Sequence, residues 1–76
     1  MNEPAILTKY EMTLVLGIRA QQLSNGAPPM ISTDGMFNEK EIALKELYSH
    51  KMPLIIKRKK PGGSSEFCKV SEMIIE

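Results

Sequence analysis

Apolar residues recur with helical spacing in the stretch KYEMTLVLGIRAQQLS, residues 9–24. Thr8 and Glu11 have the spacing of a capping box, in which each side chain accepts a hydrogen bond from the other residue's backbone N–H. After this stretch come Asn25 and Gly26, which favour left-handed backbone and end helices. The pattern therefore predicts a first helix that is capped by Thr8 and ends near Ser24.

A second amphipathic stretch, EKEIALKELY, follows Asn38, a favoured N-cap residue. We predict that this helix continues to His50 or Lys51, because positive charge is favourable at a helix C-terminus. Phe37 and Ile42 stand at the positions of a hydrophobic staple, and without that cover Ile42 would be a contact point for another molecule. The predicted core face consists of Ala43, Leu44, Leu47 and Tyr48.

The C-terminal third alternates short apolar runs with a turn signal. PLIIKRK (53–59) and FCKV (67–70) flank KPGGSSE, which predicts an antiparallel hairpin. The tail SEMIIE is compatible with a helical turn or an extended segment, and residues 1–6 are predicted to be a flexible lead-in. The sequence therefore predicts a single α+β domain over residues 1–76, with two main helices packed with a C-terminal antiparallel β-hairpin.

The apolar arc of the first helix is wider than the stripe that an ordinary surface helix buries. Gly17 lies on the opposite, small-residue face, where it costs about 1 kcal/mol relative to alanine and indicates close approach of another backbone. Either the second helix and the hairpin cover both faces, or part of the helix is buried only in a complex. The arc contains Met12, Leu14, Val15, Leu16, Ile18 and Leu23.

Arg19 projects into this arc between Val15 and Leu23. A buried guanidinium needs a charged or hydrogen-bonding partner. The side chain could reach the edge of the arc, pair with Glu46, or bind a group of a partner protein. We predict that Arg19→Ala abolishes assembly with only a modest change in the isolated fold. Severe unfolding of the free chain would instead favour an internal salt bridge.

Composition narrows the function classes. The chain has 76 residues, a formal net charge of +1 and one cysteine, Cys68, which we expect to be a small buried or half-buried thiol. No apolar run approaches a membrane span, and no nucleophile, metal-ligand or phosphate-loop motif occurs. We therefore predict a protein that is not an enzyme, with no cofactor, no catalytic or metal residues and no membrane partner.

The basic run Lys57, Arg58, Lys59 and Lys60 is the main competing signal. Such a run binds phosphates or serves as a targeting signal, and solvated lysines also protect an edge strand from aggregation. A free-standing nucleic-acid-binding module that uses residues 57–60 is therefore the alternative function.

Three stretches, residues 7–31, 41–47 and 51–75, together resemble the small shared subunit of cellular RNA polymerases. This family is called omega in bacteria and subunit K in archaea, and eukaryotes share one such subunit among their nuclear enzymes. The resemblance rests on T-K-Y-E, G-x-R-A-x-Q, A-P, I-A-x-K-E-L and P-[IL]-I-I in this order. The hairpin with its glycine turn is closer to the eukaryotic type, including viral versions, than to omega.

The resemblance implies a non-catalytic subunit of a DNA-dependent RNA polymerase. Family members clasp the largest subunit and support its folding and assembly, with DNA and RNA contacted only indirectly. The implied location is the nucleus, or the cytoplasm for a viral or archaeal chain. The predicted partner-binding residues are Tyr10, Glu11, Gly17, Arg19, Ala20, Gln22, Pro28, Ile42, Glu46 and Pro53, and residues near nucleic acid would be Lys57, Arg58, Lys59 and Lys60.

The chain departs from the family pattern at two positions. The usual aspartate-proline before the second helix is Asn38-Glu39, and asparagine still caps a helix. The usual tryptophan of the hairpin falls at Cys68, which removes an anchor for the tail. Eukaryotic members also carry an acidic N-terminal extension that recruits transcription factors; no acidic stretch precedes Thr8, so this role is not carried over.

Overall fold

The computed structural model describes residues 5–35 and 38–76. Two helices and a long hairpin account for most of this part of the chain, as the sequence predicts. A second, two-stranded parallel sheet joins the segment before the first helix to the C-terminal segment. The elements in chain order are β1 (Ile6–Leu7), α1 (Lys9–Ser24), α2 (Glu39–Tyr48), β2 (Ile55–Lys59), β3 (Ser65–Lys69), a 3-10 turn (Val70–Glu72) and β4 (Ile74–Ile75).

Helix α1 has both predicted ends. The Thr8 hydroxyl accepts a hydrogen bond from the Glu11 backbone N–H at 3.1 Å, and the Glu11 carboxylate accepts one from the Thr8 backbone N–H at 3.1 Å. Gly26 has a φ of 98° and donates its N–H to the Leu23 carbonyl. The next N–H, that of Ala27, bonds to the Gln22 carbonyl. This pair of bonds is a Schellman motif, which satisfies carbonyls at the end of a helix.

Helix α2 is capped as predicted but ends earlier than predicted. Asn38 Oδ1 accepts a hydrogen bond from the Lys40 backbone N–H at 2.7 Å. The helix stops at Tyr48, not at His50 or Lys51, because His50 adopts left-handed backbone with a φ of 56°. The His50 N–H then bonds to the Leu47 carbonyl and the Lys51 N–H to the Glu46 carbonyl, which is a second Schellman motif.

The buried face of α2 differs from the predicted face. Ala43 and Leu47 are buried as expected, whereas Leu44 is 41% exposed and Tyr48 is 56% exposed. Glu46 lies in the core in their place, because its carboxylate is turned toward Arg19 of α1. The predicted staple of Phe37 with Ile42 lies outside the described residues, since Phe37 is not among them.

The hairpin has a register that sorts its side chains onto two sides. Ile56 pairs with Cys68 and Arg58 with Glu66 on the inner side, where Ile56 and Cys68 join the core. Cys68 is buried, as predicted for its thiol. The pairs on the outer side are Ile55 with Lys69, Lys57 with Phe67 and Lys59 with Ser65.

The tail combines the two conformations that the sequence left open. A 3-10 turn comes first, and β4 then pairs in parallel with β1 through Ile6 with Ile74 and Leu7 with Ile75. Of the predicted lead-in, residues 1–4 lie outside the described part of the chain, and Ile6 already belongs to β1.

A small core is shared by all these elements rather than by the helices alone. Its partly buried margin includes Met12, Leu16 and Leu23 of α1, which belong to the wide apolar arc. Arg19 and Glu46 are the buried charged residues that accompany it. The buried apolar members are Leu7, Val15, Ala43, Leu47, Met52, Cys68, Val70 and Met73.

Candidate functional site

Arg19 and Glu46 form a bidentate ion pair between α1 and α2. Arg19 Nε donates to Glu46 Oε1 at 2.7 Å, and Arg19 Nη2 donates to Glu46 Oε2 at 2.9 Å. Arg19 is 2% exposed and Glu46 is fully buried. The acceptor that the sequence left open is therefore Glu46, and the guanidinium does not reach the solvent edge.

The loop between the helices completes this cluster. Arg19 Nη1 donates to Gln22 Oε1 at 3.1 Å, Arg19 Nη2 also donates to the Pro28 carbonyl at 2.9 Å, and the Met30 N–H donates to Glu46 Oε2 at 2.8 Å. Within residues 5–35 and 38–76, no buried side-chain nitrogen or oxygen lacks a hydrogen-bond partner. The cluster therefore fixes α1, α2 and the loop with all its charge satisfied.

Four of the predicted partner-binding residues thus meet inside the chain: Arg19, Gln22, Pro28 and Glu46. Glu46 was one of the acceptors that the sequence left open for Arg19, and the structure pairs the two residues. Direct contact of these residues with a partner stays a prediction. Their observed role is to hold the two helices in one geometry.

A second cluster joins the N-terminus of α1 to the hairpin. Arg58 Nη2 and Nε donate to the two carboxylate oxygens of Glu11 at 2.6 and 2.9 Å, and Nη2 also donates to the Ile6 carbonyl at 2.6 Å. The hydrogen bond from Arg58 holds the pKa of Glu11 below its ordinary value of 4.5, against the opposing effect of partial burial. The same bond raises the pKa of Arg58. Glu11 therefore serves both the capping box and an ion pair.

The Glu11–Arg58 pair is not predictable from local sequence patterns, because 47 residues separate its members. The alternation of side-chain direction along β2 does indicate that Arg58 faces the core. Arg58 is two residues from Ile56, so both side chains lie on the same side of the strand, toward the core. Arg58 is thereby separated from its two strand neighbours Lys57 and Lys59, which are both exposed.

Shallow concavities meet at Gly17 on the outward side of α1. Beyond the backbone of its own helix, a Cβ built on Gly17 would have no heavy atom of residues 5–35 and 38–76 within 4 Å, so none of these residues packs on this position. Leu14, Ile18 and Leu44 are exposed around it. We name this surface the Gly17 face and define it by Thr13, Leu14, Gly17, Ile18, Gln21, Lys40 and Leu44.

The other predicted contact residues lie around the two helices. Tyr10 is 77% exposed on the first turn of α1, and Ala20 is half-buried beside the Gly17 face. Ile42 is half-buried on α2, and Pro53 is exposed before β2. The structure thus brings Gly17 and Ala20 to one surface and leaves Tyr10 and Pro53 accessible elsewhere.

In the described ranges, no helix is both long and apolar enough to cross a membrane. The same residues contain no group of three or more side chains that could together ligate a metal ion.

The family model for RNA polymerase Rpb6 matches residues 4–54, which cover both helices, the Arg19–Glu46 cluster and the whole Gly17 face. The chain belongs to the RNA polymerase Rpb6 family. The resemblance found in the sequence motifs is thereby confirmed.

Curated Rpb6-like relatives extend the similarity into the hairpin. The subunit RPABC2 of DNA-directed RNA polymerases I, II, and III from Saccharomyces cerevisiae is 43% identical over 70 residues, which are 92% of this chain and 45% of that protein. Subunit 6B of DNA-directed RNA polymerases II and V from Arabidopsis thaliana is 44% identical over 70 residues, 92% of this chain and 49% of that protein. The chain therefore spans about half the length of these relatives.

Proposed function

We propose that this chain is a non-catalytic subunit of a DNA-directed RNA polymerase that clasps the largest subunit and supports its folding and assembly. The observation that carries the proposal is the open Gly17 face in a chain of the Rpb6 family. A glycine inside a helix destabilises it by about 1 kcal/mol relative to alanine. None of the residues that the structure describes compensates that cost by packing on the position. A partner's backbone would do so by packing closely there.

The chemistry of the Gly17 face suits packing against protein. Leu14, Ile18 and Leu44 supply apolar area, and Thr13 and Gln21 supply polar groups at its margin. An apolar centre with a polar rim is the usual arrangement of protein interfaces. The relatives are named as subunits of DNA-directed RNA polymerases, and the clasping role that the resemblance implies supports our choice of the largest subunit as the partner. The nucleus is the proposed location, or the cytoplasm for a viral or archaeal chain.

The Arg19–Glu46 cluster supports the proposal through rigidity. It holds together α1, α2 and the intervening loop, and both helices contribute residues to the Gly17 face. A surface that is fixed before binding loses less conformational entropy on association. In this proposal the buried residues of the family pattern act indirectly, by fixing the face that the partner contacts.

Gly17→Ala and Gly17→Gln test the proposal because their effects on the free chain and on the complex should differ in sign. The free chain should become more stable by about 0.5–1 kcal/mol, since α1 gains helix propensity without a clash. Co-purification with the largest subunit should weaken, by at least tenfold for glutamine, because its side chain occupies the space of the partner. Urea unfolding and affinity capture from a co-expression strain measure the two effects.

Lys45→Gln is the matched control, because Lys45 is an exposed α2 residue outside the Gly17 face. It should leave capture unchanged. Unaltered capture by both Gly17 variants would show that the partner does not pack there. A wild-type chain that captures no large subunit would overturn the proposed function as a whole.

A further inference from the structure

The outer side of the hairpin carries lysines around an exposed aromatic ring. We name it the outer hairpin face and define it by Ile55, Lys57, Lys59, Ser65, Phe67 and Lys69. Phe67 is 69% exposed, and all three lysines are exposed. No carboxylate belongs to this face, because Glu66 pairs with Arg58 on the inner side. The face therefore carries positive charge that no acid of its own strands offsets.

The register places these groups at defined positions around the ring. Lys57 lies directly across from Phe67, and Lys69 lies two residues along β3 on the same side. Lys59 lies two residues along β2 from Lys57, about 7 Å away for a β-strand. Phe67 thus has lysines beside it on both strands, while Arg58 is engaged with Glu11 and does not share in this surface.

We propose that the outer hairpin face binds single-stranded nucleic acid, with a base stacked on Phe67 and phosphates held by Lys57, Lys59 and Lys69. An aromatic ring with positive charge beside it is the combination that single-strand binding proteins use. Every base has a face that can stack and every nucleotide has a phosphate, so RNA and DNA single strands share the chemistry. The binding is direct, unlike the indirect contact that the family resemblance implied, and it is separate from the Gly17 face.

An acidic protein segment is the occupant that the observations favour less. Carboxylates would pair with lysines at any spacing and would gain nothing from the flat face of an aromatic ring. A single strand uses both features at once, because stacking on an aromatic side chain contributes about 1–3 kcal/mol per base.

The test is binding of fluorescein-labelled oligo(U) and oligo(dT) 12-mers to the full chain, measured by anisotropy from 25 to 200 mM salt. Three phosphate contacts predict a log–log slope of about −2 for single strands. The variant Lys57→Gln/Lys59→Gln/Lys69→Gln should lose at least tenfold in affinity at 50 mM salt and have a slope near zero. Both oligomers should bind, and a duplex of the same length should bind more weakly, because its bases are already stacked.

Phe67 variants separate stacking from charge. Phe67→Leu should weaken binding about tenfold without changing the salt slope, because it removes the ring and keeps an apolar side chain. Phe67→Tyr should bind like the wild type. Circular dichroism and thermal melting of each variant confirm that the hairpin is retained, as expected for exposed positions.

Lys9→Gln/Lys45→Gln/Lys51→Gln is the matched control, with the same change in net charge at exposed lysines elsewhere. It should bind within about twofold of the wild type. Equal loss in this control, full binding by Phe67→Leu, or equally effective competition by polyglutamate would overturn the proposal. Capture of the polymerase large subunit by the outer-face lysine variant should remain normal, so the outcome is independent of the test of the Gly17 face.

Discussion

Arg19 is stable inside the apolar arc of α1 because its planar fork meets acceptors on three sides. Glu46 takes two of its N–H groups, and the Gln22 side chain and the Pro28 carbonyl accept from the outer nitrogens. Removal of one member of a buried ion pair leaves an uncompensated charge, which typically destabilises by about 3–5 kcal/mol. A domain of this size has about 4–11 kcal/mol of total stability.

We therefore expect Arg19→Ala to lower the free energy of unfolding of the isolated chain by about 3–5 kcal/mol, measured by urea denaturation. The sequence-based expectation was only a modest change in the isolated fold of Arg19→Ala. A large loss of stability is expected instead, because the acceptor of Arg19 is Glu46 of the same chain. The double variant Arg19→Met/Glu46→Leu removes both charges and should recover most of the loss. An Arg19→Ala chain of nearly wild-type stability would contradict the structural role of the pair.

His50 adopts a backbone conformation that normally favours glycine. Its φ of 56° corresponds to the φ of 98° at Gly26, the equivalent position after α1. Left-handed backbone costs a residue with a Cβ about 1–2 kcal/mol, so the α2 terminus is strained where the α1 terminus is not.

His50→Gly should raise the free energy of unfolding by about 0.5–1 kcal/mol, because relief of the strain exceeds the added entropy of the unfolded chain. The reciprocal variant Gly26→Ala should lower it by about 1 kcal/mol. Thermal unfolding of both variants checks the pair, and a destabilising His50→Gly would indicate that the imidazole has a role beyond the backbone.

At the scale of elements, the hairpin depends on α1 for its position. The Arg58–Glu11 pair joins β2 to the start of α1, and the Val70 N–H bonds to the Leu54 carbonyl at the base of the hairpin. A hairpin of two strands is marginal in water unless it packs against other structure. The ion pair is therefore part of what holds the outer hairpin face in place.

The Glu11–Arg58 pair makes stability depend on pH. The folded pKa of Glu11 lies below its ordinary value of 4.5, so the pair contributes fully at pH values above 4.5. The contribution is lost as the pH falls through the lower, folded pKa. Glu11→Gln should lower the free energy of unfolding by about 1 kcal/mol at pH 7, and the difference from the wild type should shrink below pH 4.5.

Urea unfolding at pH 7, 4.5 and 3 measures this effect. Glu41→Gln changes an exposed carboxylate in the first turn of α2 and is the control for general charge effects. A difference between Glu11→Gln and the wild type that stays constant over this range would contradict the pairing.

At the scale of the whole molecule, the two ends of the described chain stabilise each other. β4 lies beside β1, with the Ile74 N–H bonded to the Ala5 carbonyl at 2.9 Å and the Glu76 N–H bonded to the Leu7 carbonyl at 3.3 Å. The Glu76 carboxylate accepts a hydrogen bond from the Lys9 N–H at the start of α1. The small core is thus closed by contacts that are remote in sequence.

Removal of residues 74–76 should lower the free energy of unfolding by about 2–3 kcal/mol, because the hydrogen bonds to β1 and to the Lys9 N–H and the packing of the partly buried Ile75 are lost. Denaturant unfolding measures the loss. Glu76→Ala removes only the carboxylate contact and should cost less than about 1 kcal/mol. Wild-type stability of the truncated chain would show that β4 does not contribute to closing the core.

Local signals predicted the helices and the hairpin well, because caps and turns depend on neighbouring residues. The Thr8–Glu11 box, the Asn38 cap and the stop at Gly26 lie where the sequence indicates. The end of α2 was misplaced because histidine is an unusual residue for left-handed backbone. Leu44 and Tyr48 were misassigned to the core. Helical periodicity shows which residues share a face, but it does not show which part of the helix surface a neighbouring helix covers.

In the candidate site, too, local features were predictable from the sequence and contacts between distant elements were not. Gly17 and Arg19 were recognised as candidate site residues from the sequence of α1 alone. Gly17 is a glycine that lowers the stability of its helix, and Arg19 is a charged residue among apolar side chains. The Glu11–Arg58 pair was missed because helix and strand patterns carry no information on which distant elements meet. Within the basic run, Arg58 pairs with Glu11 whereas Lys57 lies on the outer side of the hairpin. This difference follows from the strand register and from the position of α1.

The sequence by itself determined the family, the two capped helices and the hairpin, because these depend on short-range capping, turn chemistry and motif order. Only the tertiary structure decided that Glu46 accepts from Arg19, that the tail returns to pair with β1, and that no residue in the described part of the chain covers Gly17. Each of these depends on how elements distant in sequence pack around a small core. That packing directs the Gly17 face and the outer hairpin face to solvent, where we expect their partners to bind.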